Sequence, residues 1–190
     1  MILPLYRRVL GAGFDALPAR VRELHDLHGP SVWVGVANVE RGRSLVSRLA
    51  ALASGLPPEG RDQPLRVTFE PVGGKETWSR QFGSAPFRSL QYERGGFLLE
   101  RVGPTTFVFS ALASPEGLAL RLDGFRVLGV PLPRLLHPAV RTFESERDGR
   151  YHFEVEARLP LFGLLVRYAG WLQPLGPSAR EADKGLSSTS

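Results

Sequence analysis

LRVTFEPVGGKETWSRQF, residues 65–82, is the stretch that decides the fold. Leu65, Val67 and Phe69 alternate with Arg66, Thr68 and Glu70, a period of two that an extended strand converts into two opposite faces. Gly73-Gly74 supplies the positive φ of a tight hairpin turn, and ETWSRQF carries the chain back with an alternation of its own. Strands joined this closely are antiparallel neighbours, because a parallel return needs a crossover of about a dozen residues or more.

The same rhythm continues downstream. Strands are predicted at Arg88 to Tyr92, Phe97 to Val102, Thr105 to Leu112 and Leu118 to Val127, separated by Gly95-Gly96, Gly103-Pro104 and Ser114 to Gly117. Three prolines in GVPLPRLLHP, residues 129–138, argue for a loop or irregular edge that could form a lip. Strands resume at Val140 to Arg147, Tyr151 to Leu159 and Phe162 to Leu172. The polar GRDQP, residues 60–64, reads with Leu56-Pro57-Pro58 as a loop leading into the sheet.

Upstream the period changes to that of a helix. Leu5, Val9 and Leu10 share a face, and Leu17, Val21 and Leu24 continue it beyond a break at Gly11 and Gly13. Pro18 suits the first turn of the second piece and Gly29-Pro30 stops it. The run around Val32, Val34 and Val36 reads as a strand, and Leu45, Val46, Leu49 and Leu52 fit a short amphipathic helix. The expected fold is therefore α+β: a mostly antiparallel, strongly curved sheet or incomplete barrel with N-terminal helices packed on it, helix-grip or lipocalin-like. One domain spans 1–172, and residues 173–190 have the composition of a disordered tail.

The net charge of +5 invites nucleic acid as a partner, but the cations are scattered arginines beside Glu and Asp, with Lys only at Lys75 and Lys184, so no nucleic-acid partner is expected. The absence of Cys removes disulfides, thiolate catalysis and Cys-ligated zinc. MILPLYRR is the reverse of a signal peptide and no run approaches the ~20 apolar residues of a membrane span, so a cytoplasmic location without a membrane span is expected.

Motifs that would carry chemistry fail on context. Gly11, Gly13 and Ala16 of VLGAGFDA reproduce a dinucleotide-binding spacing, yet a helix rather than a strand precedes them, Pro18 interrupts the helix after them, and the acidic ribose ligand is missing. His25 and His28 could face one metal from a helix, but no second ligand pair has a recognisable spacing, and a histidine at a helix C-terminus accounts for them. No metal and no cofactor are expected. No nucleophile elbow, phosphate loop, zinc-protease helix or calcium loop is present.

One polar feature remains. Alternation puts Glu76, Trp78, Arg80 and Phe82 on one face of ETWSRQF and Lys75, Thr77, Ser79 and Gln81 on the other. If the aromatic pair faces the core, two charges go in with it, and burial then requires a satisfied pair or the polar anchor of a cavity. If the strand lies at an open face, both charges are simply solvated. Glu100 with Arg101, Glu144 with Glu146, and Glu154 with Glu156 are further acidic positions that could face inward or outward.

LYRRVLG, FDALP, LH, GLPP, ETWSRQFG, ERVGP, GVPLP and a closing LP followed by GLLVRYAG together resemble the bacterial domain of unknown function numbered 4166, in order and to about Trp171. That family brings no established activity. Its members resemble appended modules, alone or behind dehydrogenase-like regions of the saccharopine dehydrogenase or short-chain reductase kind. These 190 residues hold no such region, so the resemblance implies no nicotinamide chemistry for them and makes any oxidoreductase a partner. Glu76, Trp78, Arg80 and Phe82 fall on the family's most recognisable motif. The leading expectation is a non-enzymatic module that binds an apolar or amphipathic small molecule through these four residues. The alternatives are an accessory domain of a dehydrogenase-like partner and an enzyme that uses cavity carboxylates.

Overall fold

A computed structural model of the chain describes residues 2–176. Helix α1 (Leu5–Leu10), a 3-10 turn over Gly11–Ala16 and helix α2 (Ala19–His25) come first. Strand β1 (Ser31–Arg41) and helix α3 (Leu45–Ala53) lead to β2 (Gly60–Val72) and β3 (Lys75–Phe82). Next come β4 (Ala85–Arg94), β5 (Phe97–Val102), β6 (Thr105–Ser114) and β7 (Gly117–Val127). A two-residue β8 (Val130–Pro131) and a 3-10 turn at Arg134–Leu136 precede β9 (Ala139–Arg147), β10 (Arg150–Leu159) and β11 (Gly163–Pro174).

Every strand pairs antiparallel with its neighbours, in the order β6-β5-β4-β3-β2-β1-β11-β10-β9-β7-β8, and a further β6–β7 pairing joins the two ends. The result is a closed barrel of ten strands, with β8 attached outside the ring to β7. The expected incomplete barrel is corrected here: the sheet closes. Closure rests on β1 with β11, in register from Trp33↔Pro174 to Arg41↔Val166, and on β7 with β9, from Leu118↔Glu144 to Arg121↔Arg141. Both join segments remote in sequence, which local periodicity cannot report.

The hairpin that set the fold has the geometry its residues require. Gly73 and Gly74 adopt φ of 59° and 76°, and the strands pair from Leu65↔Phe82 to Val72↔Lys75. The expected GRDQP loop is instead the start of β2. Asp62 takes a positive φ of 47° and donates its amide to Asn38 Oδ1, where the register with β1 shifts between Ala37 and Val39. A bulge lets strand geometry absorb a proline-containing polar run that reads locally as loop.

The barrel has two unlike ends. At one end lie the Gly73-Gly74 turn and the N-terminal helices, which insert Tyr6, Phe14, Val21 and Leu24 as a fully buried plug. Pro18 caps α2 from just outside, its carbonyl accepting from the Arg22 amide at 2.9 Å, rather than entering the first turn. Arg7 clasps the plug together: its Nε and Nη2 donate to the two carboxylate oxygens of Asp26 at 2.7 and 2.8 Å. The hydrogen bond from Arg7 holds the Asp26 carboxyl below its usual range. The opposite end is the mouth, where α3 and the loop through β8 lie. The Ser44 hydroxyl caps α3 by accepting from the Ser47 amide at 3.1 Å.

Residues 177–190 lie outside the described residues, and with them most of the expected tail; Gln173 and Pro174 belong to β11.

Candidate functional site

Pleating alone points Glu76, Trp78, Arg80 and Phe82 into the barrel, and all four are on its inner face. They do not form one site. Trp78, Arg80 and Phe82 line an interior cavity, whereas Glu76 sits beneath it against the plug. Glu76 is 1% exposed, its Oε2 accepts from Trp78 Nε1 at 3.1 Å, and its Oε1 has no hydrogen-bond partner among the described residues. Burial pushes its carboxyl above the usual range, with the Trp78 hydrogen bond opposing.

Arg80 makes no hydrogen bond or ion pair with Glu76 among the described residues. Its guanidinium donates to Ser89 Oγ at 2.8 Å, lies 3.5 Å from Glu100 Oε1, and rests over the rings of Trp78 at 4.8 Å and Phe87 at 5.3 Å. Gln91 bridges the group to the plug, donating to Glu100 Oε1 at 3.2 Å and accepting from Tyr6 Oη at 2.9 Å. Register explains the meeting: Ser89 is opposite Trp78, Gln91 opposite Glu76, and Glu100 opposite Gln91. Three adjacent strands thus build one polar corner.

A second polar contact pins the plug. His25 is fully buried, its Nε2 lies 2.5 Å from Glu144 Oε2, and its ring packs on Tyr6 at 3.7 Å between centroids. Nε2 is the donor facing the carboxylate, and Nδ1 has no partner among the described residues. Burial, reinforced by Glu144, raises the Tyr6 and Tyr151 hydroxyls well above their usual range, so both stay protonated donors. His28 is exposed beside Asp26, and no cluster with metal-ligand geometry exists among the described residues.

The cavity has a volume of about 380 Å³. An eight-stranded barrel is nearly filled by its own side chains, and ten strands leave room along the axis. Phe107, Phe109, Leu120, Phe153 and Val155 make the walls apolar, while Arg80, Gln91, Glu100 and Tyr6 gather at one region near the plug. Ala50, Ala53 and Ser54 of α3 and its C-terminus border it at the mouth.

Residues 17–172 of the chain match a known family model, "Domain of unknown function (DUF4166)". The chain belongs to the DUF4166 family. No curated protein matches it. The family match begins at Leu17, so α1 and Tyr6 lie upstream of the matched segment.

Within this DUF4166 domain, sequence reasoning placed Glu100 and Glu144 among acidic positions of undecided direction; both point inward, as alternation from the neighbouring apolar residues would have allowed. Glu154 instead points outward, where its Oε1 accepts from Arg167 at 2.9 Å. Tyr6, His25 and Gln91 were missed as site residues. Tyr6 has no chemical motif around it, and the position of His25 at a helix end gives a sufficient local account of it.

Proposed function

We propose that this DUF4166 domain binds one apolar or amphipathic small molecule inside its barrel, chain toward the mouth and polar end at Arg80. The observation that carries the reading is the mostly apolar cavity of about 380 Å³, within the size range of small-molecule sites, whose charged lining residues Arg80, Glu100 and Glu144 lie toward the plug. Glu76 is set apart by the plug, so the orienting role falls to Arg80 with Glu100, Gln91 and Tyr6. Because Arg80 already faces Glu100, the corner offers a donor beside an acceptor. A neutral head that both donates and accepts, a hydroxyl or an amide, matches it; a carboxylate would have to displace Glu100.

The inward carboxylates favour binding over acid–base chemistry, since Glu100 is engaged by Gln91 and Glu144 by His25. A partner-dependent role draws instead on exposed Leu135 and Leu136 in GVPLPRLLHP; failure to recover a stoichiometric dehydrogenase-like protein from native extract would remove it.

The test titrates the protein with a pyrene-labelled long-chain alcohol and the matching acid. The alcohol should bind more tightly, Glu100→Gln should shift preference toward the acid, and Val155→Trp, which fills the cavity, should abolish both. Wild-type protein that binds neither probe, or a Val155→Trp variant that binds both unchanged, would overturn the reading.

A further inference from the structure

Helix α3 is amphipathic in the inverse sense. The sequence pattern of Leu45, Val46, Leu49 and Leu52 leads one to expect a buried apolar stripe, yet Leu45, Leu49 and Leu52 are 72%, 59% and 77% exposed. Small residues face inward: Ser47 and Ala51 are buried, and Ala50 borders the cavity. The helix also reaches across the mouth, since a Cβ placed on Gly103 of the β5–β6 turn would lie 3.7 Å from the Ala53 carbonyl oxygen. A surface helix ordinarily buries its large residues, so this one presents a face that needs a partner.

The apolar surface does not stop at α3. Leu128 and Leu135 in the loop between β7 and β9 are 81% and 83% exposed, and Leu161 in the β10–β11 turn is 101% exposed. These segments are consecutive around the ring, because β1, β11, β10, β9 and β7 are successive neighbours and all three connections lie at the mouth. Charge is distributed along the same arc. In the connections themselves, residues 42–59, 128–138 and 160–162, the charges are Arg43, Arg48 and Arg134 against one acid, Glu59. Arg43, Arg48 and Arg134 are exposed and have no ion pair among the described residues. The barrel wall is different: outward Arg88, Arg121, Glu154 and Arg167 are exposed along it, a surface for water rather than lipid.

We propose that the mouth docks on an anionic phospholipid surface, with α3 lying in the interface, its leucines below the headgroups and Arg43, Arg48 and Arg134 against lipid phosphates. Apolar residues flanked by unpaired cations are the two signals that interfacial binding requires, and an arc with three arginines against one acid complements a negative leaflet. Docked this way, the cavity opens toward the bilayer, so the lipid phase is where the cavity's ligand enters or leaves. That last step rests on the proposed ligand binding; the docking does not.

The experiment is co-sedimentation of the full chain with mixed phosphatidylglycerol and phosphatidylcholine vesicles, alongside titration with the pyrene-labelled alcohol in the absence of vesicles. Wild-type protein should sediment with the mixed vesicles, less with pure phosphatidylcholine, and less at high salt. Leu45→Ser/Leu49→Ser/Leu52→Ser should weaken vesicle binding by more than about tenfold and leave probe binding intact. Arg43→Gln/Arg48→Gln/Arg134→Gln should weaken it by roughly fivefold for each arginine and flatten the salt dependence. Val155→Trp should lose the probe and keep the vesicles. A wild-type protein that binds the probe but no vesicle overturns docking and spares the cavity; vesicle binding without probe binding does the reverse. Self-association that the leucine triple variant abolishes, with no vesicle binding, assigns the arc to a second copy of this chain and also overturns the proposal.

Discussion

Glu76 is a carboxyl buried with incomplete partnering. One carboxylate oxygen has no partner among the described residues, and burial raises the group's protonation range. The folded state therefore takes up a proton more readily than the unfolded chain, and the associated stability is full below the ordinary glutamate value and falls as pH rises through the raised one. Glu76→Gln keeps an acceptor for Trp78 Nε1 without the charge. We expect this variant to melt higher than wild type at pH 8 and to match it at pH 4, each kcal/mol appearing as about 2–4 °C for a chain of this size. Equal melting temperatures at both values would mean that Glu76 is solvated in solution. The alternation in ETWSRQF was enough to place Glu76 and Arg80 on one face. It could not separate them, because the partners that pull them apart, the plug beside Glu76 and Ser89 and Glu100 beside Arg80, come from other elements.

At the scale of elements, the N-terminal plug and α3 show how far local pattern reaches. The helical spacing of Leu17, Val21 and Leu24 announces a face that must cover something, and it covers one end of the barrel. The register of the plug was hidden, since Tyr6 finds Gln91 across 85 residues of sequence and His25 finds Glu144 across 119. Removing the carboxylate leaves His25 buried without its charged acceptor, so Glu144→Gln should cost about 1–3 kcal/mol in urea unfolding. Phe14→Ala, which empties a fully buried position under the Arg7 guanidinium, should cost about 3–5 kcal/mol. If either variant unfolds at the wild-type midpoint, the plug is not docked as described. Helix α3 was legible as an amphipathic helix but its facing was not, because periodicity reports that apolar residues share a side and says nothing of whether that side meets protein.

For the whole molecule, closure is the property that local sequence could not contain. Short glycine turns fix each strand to its successor, but a curved sheet and a barrel share every hairpin and differ only in the last pairing made. The two non-hairpin joints are unequal: β1 with β11 runs in register from Trp33 to Arg41, whereas β7 with β9 is confined to Leu118 through Arg121. Beyond that stretch the two strands share no further ladder, and their residues Phe125 and Val140, with Pro138, line the cavity. A wall with fewer cross-strand bonds opens at lower free energy, so native-state hydrogen exchange should release the amides linking β7 and β9 well before those linking β1 and β11. Saturating pyrene-labelled alcohol should slow the β7–β9 exchange most if it binds as proposed, because Phe125 and Val140 border the cavity. Uniform protection around the ring, or first opening between β1 and β11, would show that the short joint is held by something other than its ladder.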